Sequence, residues 1–109
     1  RMLIVESECE YGCPIGSLAL EIHEPDPPVR EALASNFCGW SAAVRECLVD
    51  AGEGLPAGTD LDALAEFTLT VMEGGVMLAR THRDVGYFDR AIAQLRQHYD
   101  HLQKIGEAA

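Results

Sequence analysis

The chain has 109 residues, of which 48% are apolar, and a formal net charge of −10. This length suits one domain with its own core, and no apolar run approaches the roughly 18 residues of a membrane span or follows a signal-peptide pattern, so we expect a cytoplasmic protein. A surface this acidic repels phosphate backbones, which excludes direct nucleic-acid binding by these residues.

Proline residues mark the first two of four predicted helices. Pro14 opens a short helix that runs to about residue 23, because proline is well tolerated in the first helical turn. Residues 24–28 end that helix, and Asp26 followed by Pro27 predicts the start of a second helix that runs to about residue 51. Its apolar residues recur every three or four positions and share one face: Val29, Leu33, Phe37, Trp40, Val44, Cys47 and Leu48.

A third helix follows the glycine-rich loop at residues 52–58. Thr59 with Asp62 three positions later is a capping-box pattern, and it predicts a helix over about 60–82. That helix is apolar around most of its circumference, so it must be buried from more than one direction. The exception is a narrow polar strip, which consists of Asp62, Glu66, Glu73 and Arg80.

A fourth helix is predicted after Asp84, which can cap it. Its apolar residues step by 4, 3, 4 and 3 positions, which is typical of a helix packed nearly parallel or antiparallel to a neighbour: Phe88, Ile92, Leu95, Tyr99 and Leu102. No segment shows the period of two that a strand requires. The sequence therefore predicts an all-α fold, an antiparallel bundle of about four helices, with a helical core over 12–103 and a tail at 104–109.

Gly74 and Gly75 lie in the middle of the third helix, where each costs about 1 kcal/mol relative to alanine. Close approach of another backbone would offset that cost. We therefore expect a homodimer in which helices three and four pair with their copies as a four-helix bundle. The alternative is a monomer in which the third helix is central and the glycines accommodate packing inside it. The residues expected at the dimer interface are Gly74, Gly75, Leu78, Phe88, Ile92, Leu95 and Tyr99.

Four segments carry a family resemblance when their order and spacing are taken together. They are residues 12–21 (Gly-Cys-Pro-Ile-Gly-Ser-Leu-Ala-Leu-Glu), 28–37 with Trp40, 64–80 with the glycine pair, and Arg83-Asp84 with 91–95. Over about residues 12–99 the chain resembles the C-terminal domain of TetR/AcrR-family transcriptional repressors, nearest to the drug- and flavonoid-responsive LmrA/YxaF group. There, these segments form a short helix beside the ligand cavity, a long helix and two dimerisation helices.

The resemblance implies an effector-binding and dimerisation domain over residues 1–109, from a repressor that a small apolar effector releases from DNA. The family carries an N-terminal helix-turn-helix domain that is absent from these residues. DNA would therefore be bound only through that missing domain, and residues 1–11 would be the tail of a truncated linker helix. The resemblance also implies a homodimer that does not contact membranes.

An effector would bind in a cavity between the first three helices, because small-molecule sites are mostly apolar and are adaptable where they contain methionine and aromatic side chains. For each candidate, ordinary core packing is the alternative. The candidate lining residues are Cys13, Leu18, Ile22, Phe37, Trp40, Val44, Phe67, Val71 and Met72.

Other classes of function remain open to different degrees. Cys9, Cys13 and His23 could form a metal or thiol-redox sensor, although a zinc site needs four nitrogen or sulfur ligands and Pro14 argues against a shared helix face. A stand-alone helical dimerisation module also fits the pattern. An enzyme is not expected, because no Glu-x-x-His pair, phosphate-binding loop or nucleophile elbow occurs. We expect neither a cofactor nor a bound metal.

Overall fold

The computed structural model describes residues 14–21, 27–50 and 54–108, and over these ranges it contains helices and connecting turns without strands. The helices are α1 (Pro14–Glu21), α2 (Pro27–Asp50), α3 (Leu61–His82) and α4 (Gly86–Ala108). Both α2 and α4 pack along α3, and α1 packs on α2, so α3 is the central helix. Within the described ranges, no helix combines the length and the apolarity needed to cross a membrane.

The N-terminus of α3 is capped by Asp60. Its carboxylate accepts a hydrogen bond from the Ala63 N–H at 3.0 Å. Thr59, which the capping-box pattern selected, instead donates its hydroxyl to the Pro56 carbonyl oxygen at 2.6 Å and closes the turn before the helix. The predicted cap was therefore wrong by one residue, because aspartate and threonine side chains can both cap and the local turn occupies the threonine.

A tight turn reverses the chain between α3 and α4. Arg83 adopts the left-handed conformation (φ 53°, ψ 40°), and the Asp84 N–H bonds to the Ala79 carbonyl oxygen at 3.0 Å, which satisfies the end of α3. The Asp84 carboxylate then accepts a hydrogen bond from the Gly86 N–H at 2.8 Å, as its predicted capping role requires. The two helices consequently run antiparallel.

Two small apolar clusters hold the helices together. Near the α3–α4 turn, Ala79 is fully buried and packs against Phe88. At the opposite end of α3, Leu64 and Ala65 pack against Leu48 of α2, so this cluster joins the second and third helices. Burial of these side chains is the main driving force for the packing, since each contributes in proportion to the apolar area removed from water.

A buried polar pair lies between α3 and α4. Thr68 is buried, and its hydroxyl donates to the Leu64 carbonyl oxygen at 2.8 Å. Because that proton is already used, the Tyr99 hydroxyl donates its own proton to the Thr68 oxygen. Both hydroxyls are therefore satisfied inside the interface, as buried polar groups require.

The seam predicted on α4 faces α3 of the same chain. Phe88 and Leu95 are buried, whereas Ile92, Tyr99 and Leu102 are half-buried and pack on the two clusters. The 4-3-4-3 spacing thus predicted an antiparallel helix contact correctly. That contact forms within one chain, so the side chains expected to meet a partner are largely covered before any partner binds.

The last turns of α4 extend beyond the predicted core. The helix continues to Ala108, where the spacing predicted a tail from residue 104 onwards. At Gly106 it contacts the backbone of the loop after α2: a Cβ there would overlap the Gly54 carbonyl oxygen and lie 2.9 Å from the Leu55 carbonyl carbon. The absence of a side chain at this position allows the helix end to dock on the loop.

The two glycines in the middle of α3 lie in different environments. Gly75 is buried against α4, where a Cβ would lie 3.2 Å from Phe88 Cδ2 and 3.4 Å from Ala91 Cβ. A Cβ on Gly74 would meet nothing within 4 Å. The close backbone approach that the pair suggested is therefore made at Gly75, by α4 of the same chain.

Alanine substitutions should separate these two environments. Gly74→Ala is expected to raise the free energy of unfolding by up to about 1 kcal/mol, because alanine has the higher helix propensity. Gly75→Ala has the same gain in propensity, but its methyl group would lie 3.2 Å from Phe88 Cδ2, so this variant is expected to be less stable than Gly74→Ala by about 1 kcal/mol or more. Urea denaturation at one protein concentration measures both. A destabilised Gly74→Ala variant would indicate that a partner covers Gly74.

Candidate functional site

Two adjoining cavities lie on the side of α3 that faces α1 and α2. The cavity beside α1 has a volume of about 400 Å³, and the cavity beside the C-terminal half of α2 has a volume of about 540 Å³. Phe37, Leu69 and Thr70 line both, so we describe them together as the α3 groove. The part beside α1 is completed by Gly16, Ala19, Glu73, Gly74 and Met77.

Polar groups are unevenly distributed along the α3 groove. Beside α1 they are the Glu73 carboxylate and the Thr70 hydroxyl, and that hydroxyl donates its proton to the Glu66 carbonyl oxygen at 2.8 Å. In the other cavity, Arg45 Nε pairs with Asp62 Oδ1 at 2.7 Å. Both of these side chains are substantially exposed, so the pair contributes little to stability. Three of the four residues of the polar strip predicted on α3 thus line the groove: Asp62, Glu66 and Glu73.

Two aromatic residues of α2 stand at the edge of the α3 groove. Phe37 is half-buried and lines both cavities. Trp40 packs against it edge to face, with 5.7 Å between the ring centroids. Trp40 does not line either cavity, but it contacts a ring that does. Because it is the chain's only tryptophan, its fluorescence should report on what Phe37 contacts.

The described residues of the predicted lining set are distributed over several surfaces. Phe37 lines the α3 groove, whereas Val44 packs on the Leu48–Leu64 cluster in the core. Met72 lines a separate cleft of about 670 Å³ between α3 and α4, which also includes Asp89 and Arg96. Helical periodicity had placed these residues on apolar faces without specifying which neighbouring helix covers each face.

Three further members of that set lie away from the α3 groove or at its margin. Phe67 is 44% exposed and its ring contacts His98 of α4, with 5.4 Å between the centroids. Val71 follows Phe67 by one helical turn and is half-buried. Leu18 of α1 is 40% exposed and does not line either cavity. Cys13 and Ile22 lie outside the described residues.

The residues predicted at a dimer interface are similarly divided. Gly74 lines the α3 groove, and Gly75 is buried against α4. Leu78 is 42% exposed and does not line the groove. The remaining members face α3 in the same chain: Phe88, Ile92, Leu95 and Tyr99.

Several exposed apolar side chains lie on a side of α3 and α4 that does not line the groove. On α3 this side contains Phe67 and Leu78, and on α4 it contains Ile105, which is 46% exposed. The Phe67–His98 ring contact joins the two helices on this side. Helical spacing adds Val71 and Ala91. We call this surface the outer face; it comprises Phe67, Val71, Leu78, Ala91, His98 and Ile105.

Sequence reasoning missed most of the residues that line the groove beside α1. They are small, such as Gly16 and Ala19, or belong to the polar strip, such as Glu73. The polar strip was the sequence feature that could have identified Glu73 as a lining residue. Polar residues on a helix that is otherwise apolar mark a side that is not packed into the core, and here that side lines the groove.

Metal-ligating side chains do not cluster in the described part of the chain. Within residues 14–21, 27–50 and 54–108, no group of three or more His, Cys, Asp or Glu side chains is placed to hold an ion. Cys38 and Cys47 are exposed free thiols. The metal- or redox-sensor alternative depends on Cys9, Cys13 and His23, which lie outside the described residues, so it stays a prediction.

Comparison with known families agrees with this architecture. Residues 1–94 match the family described as transcriptional regulator LmrA/YxaF-like, C-terminal domain. No curated protein and no solved structure matches the chain significantly. The matched residues include α1, α2 and α3, and therefore all the helices that form the groove. Because the match covers 94 of the 109 residues, the chain belongs to the TetR-family C-terminal domains of LmrA/YxaF-like transcriptional regulators.

Proposed function

We propose that the chain is the effector-binding and dimerisation domain of a TetR-family repressor, and that a small apolar effector bound in the α3 groove releases the repressor from DNA. DNA is contacted through an N-terminal helix-turn-helix domain outside residues 1–109. The observation that carries this proposal is the largely apolar groove formed by α1, α2 and α3, in a chain that belongs to this family.

The size and lining of the groove support ligand binding. A volume of about 400 Å³ beside α1 lies within the range of about 300–1,000 Å³ that is usual for small-molecule sites. Phe37 offers an aromatic surface, and Met77 offers a flexible thioether that can adapt to irregular ligands. The described lining contains few polar groups, which would orient the ligand while apolar contacts supply most of the affinity.

The arrangement also suggests how binding could be transmitted. Gly16 and Ala19 of α1 form one wall, and residues of the central helix α3 form another. A ligand between these walls would favour one α1–α3 separation over others, and a change in that separation would pass to the chain that precedes α1. Such coupling requires a difference in ligand affinity between the two states, typically worth about 1–3 kcal/mol.

Phe37→Ala should weaken effector binding about tenfold or more. The ring lines both cavities, and an aromatic side chain would supply a large part of the contact area with a bound ligand. A panel of apolar compounds that includes flavonoids would be titrated by calorimetry, with Trp40 emission as a second readout. Met72→Ala is the matched control, because it changes the separate α3–α4 cleft. Loss of binding in the Met72 variant alone would assign the effector to that cleft and contradict the proposal.

The outer face would form the homodimer interface in this proposal. Among the described residues no large side chain is fully buried, whereas Phe67, Leu78 and Ile105 are each more than two-fifths exposed. Exposed apolar side chains on one side of two packed helices favour association. Two-fold pairing of the α3–α4 hairpin with its copy would bury them in a four-helix bundle. Leu78 is the residue that this interface shares with the one predicted from sequence.

The DNA-binding half of the proposal is tested by the coding sequence upstream of Arg1. An in-frame segment that encodes a basic helix-turn-helix would support a repressor. A start codon directly before Arg1 would contradict it for this gene product. The chain would then be better described as a stand-alone helical dimerisation module.

A further inference from the structure

We propose that the effector of the α3 groove is a lipophilic cation, an apolar molecule that carries one positive charge. This inference rests on the proposed function of the groove and adds the chemical class of its ligand. Its basis is Glu73, a half-buried acidic residue that lines the cavity beside α1. A carboxylate is costly to remove from water unless a cation or a donor compensates it.

The hydrogen-bonding groups of this cavity point to a cation. The described side chains that line it supply acceptors and no free donor: the Glu73 carboxylate only accepts, and Thr70 has already given its proton to the Glu66 carbonyl oxygen at 2.8 Å. The other described lining residues carry no polar side-chain group. An anionic ligand would therefore meet the Glu73 carboxylate without a described side-chain donor to offset the repulsion, whereas a cation would compensate the charge of Glu73.

Among the described residues that line the cavity beside α1, none carries a basic side chain. Arg45, in the adjoining cavity, is engaged with Asp62 at 2.7 Å. Arg80 lies two helical turns beyond Glu73 on the polar strip and is not among the lining residues. Within the described lining, the charge of Glu73 is thus left for a ligand to balance.

Two further features favour the same ligand class. The Phe37 ring lines this cavity, and the face of an aromatic ring attracts cations. The formal net charge of −10 also raises the concentration of cations near the protein surface and repels anions. An apolar body with one positive charge would thus satisfy the apolar walls, the ring and the carboxylate together.

The test uses three probes of similar shape and different charge on the full chain: tetraphenylphosphonium, triphenylphosphine oxide and tetraphenylborate. Calorimetry and Trp40 emission measure the dissociation constants. The cation should bind more tightly than the neutral oxide, and the borate should bind most weakly. Glu73→Gln should weaken tetraphenylphosphonium binding about tenfold and leave the neutral oxide unchanged. Glu46→Gln is the control, since it removes one exposed charge outside the groove.

The outcomes separate this inference from the proposed function. If the cation and the neutral oxide bind equally well, and Glu73→Gln changes neither, the ligand class is wrong and the groove remains a binding site. If Glu46→Gln and Glu73→Gln weaken tetraphenylphosphonium binding equally, the effect comes from the overall charge of the protein. That result would also overturn the inference. If no probe binds at all, both the inference and the ligand-binding role of the groove are contradicted. Thermal unfolding of each variant verifies that the fold is intact.

Discussion

Replacing Leu78 with glutamate is expected to convert the proposed homodimer into monomers. Leu78 is 42% exposed on the outer face, and two-fold symmetry would place two copies of the new charge in one apolar interface. Leaving charges unpaired in a buried interface costs at least about 3 kcal/mol, which raises the dimer dissociation constant by more than about a hundredfold. Sedimentation velocity over a range of protein concentrations measures this change.

Met77→Glu provides a closely matched control for that experiment. Met77 is the preceding residue, is 43% exposed and lies about 100° around α3, where it lines the groove. This variant should remain dimeric, with altered binding of apolar ligands. If Met77→Glu dissociates the dimer and Leu78→Glu does not, the groove side of α3 is the interface and the outer face is not.

Phe88→Ala is expected to lower the free energy of unfolding by about 3 kcal/mol or more. Phe88 is 7% exposed and packs on the fully buried Ala79, with Gly75 directly beneath its ring. Truncation removes apolar contact and leaves a cavity between two helices that the short turn holds in place, so the site cannot readily collapse. Urea denaturation followed by circular dichroism measures the change.

Val49→Ala is the comparison for the Phe88 variant. Val49 is 52% exposed on α2, so its truncation should change the free energy of unfolding by no more than about 0.5 kcal/mol. Both variants and the parent are compared at one protein concentration, because unfolding of a dimer depends on concentration. A loss below about 1 kcal/mol in Phe88→Ala would contradict the packing of α4 on α3.

Two observed surfaces of α3 and the proposed dimer interface together explain why this helix is apolar around most of its circumference. One side packs on α4 through Gly75 and Ala79, and another lines the groove through Leu69 and Met77. The outer face, which contains Phe67, would be covered by a second copy of the chain. A helix used in three directions needs apolar residues in three directions, and the polar strip is correspondingly narrow.

The number, order and approximate limits of the helices could be predicted from local sequence signals. Pro14 and Pro27 begin α1 and α2, and Asp84 bonds the first turn of α4. These signals act within a few residues, because proline restricts its own backbone and a capping carboxylate reaches only nearby N–H groups. The same locality accounts for the error at Thr59, where a turn competed with the cap.

The family was also accessible from the sequence, since the order and spacing of several weak segments resembled LmrA/YxaF-like domains and residues 1–94 match that family. The neighbours of each surface had to come from the structure. Phe37 and Gly74 line the groove, and the α4 seam packs on α3 of the same chain. From the sequence, Glu73 was identified only as part of the polar strip.

Only the tertiary structure decided which neighbour covers each helix face. Periodicity determines which residues of α3 lie on the same side, because the angle between successive residues is nearly constant. It contains no information about the rotation of α3 relative to α2 and α4, which depends on how side chains from distant parts of the chain fit together. For this reason the sequence predicted that Phe88 packs against a helix, and the structure was needed to show that the helix is α3 of the same chain.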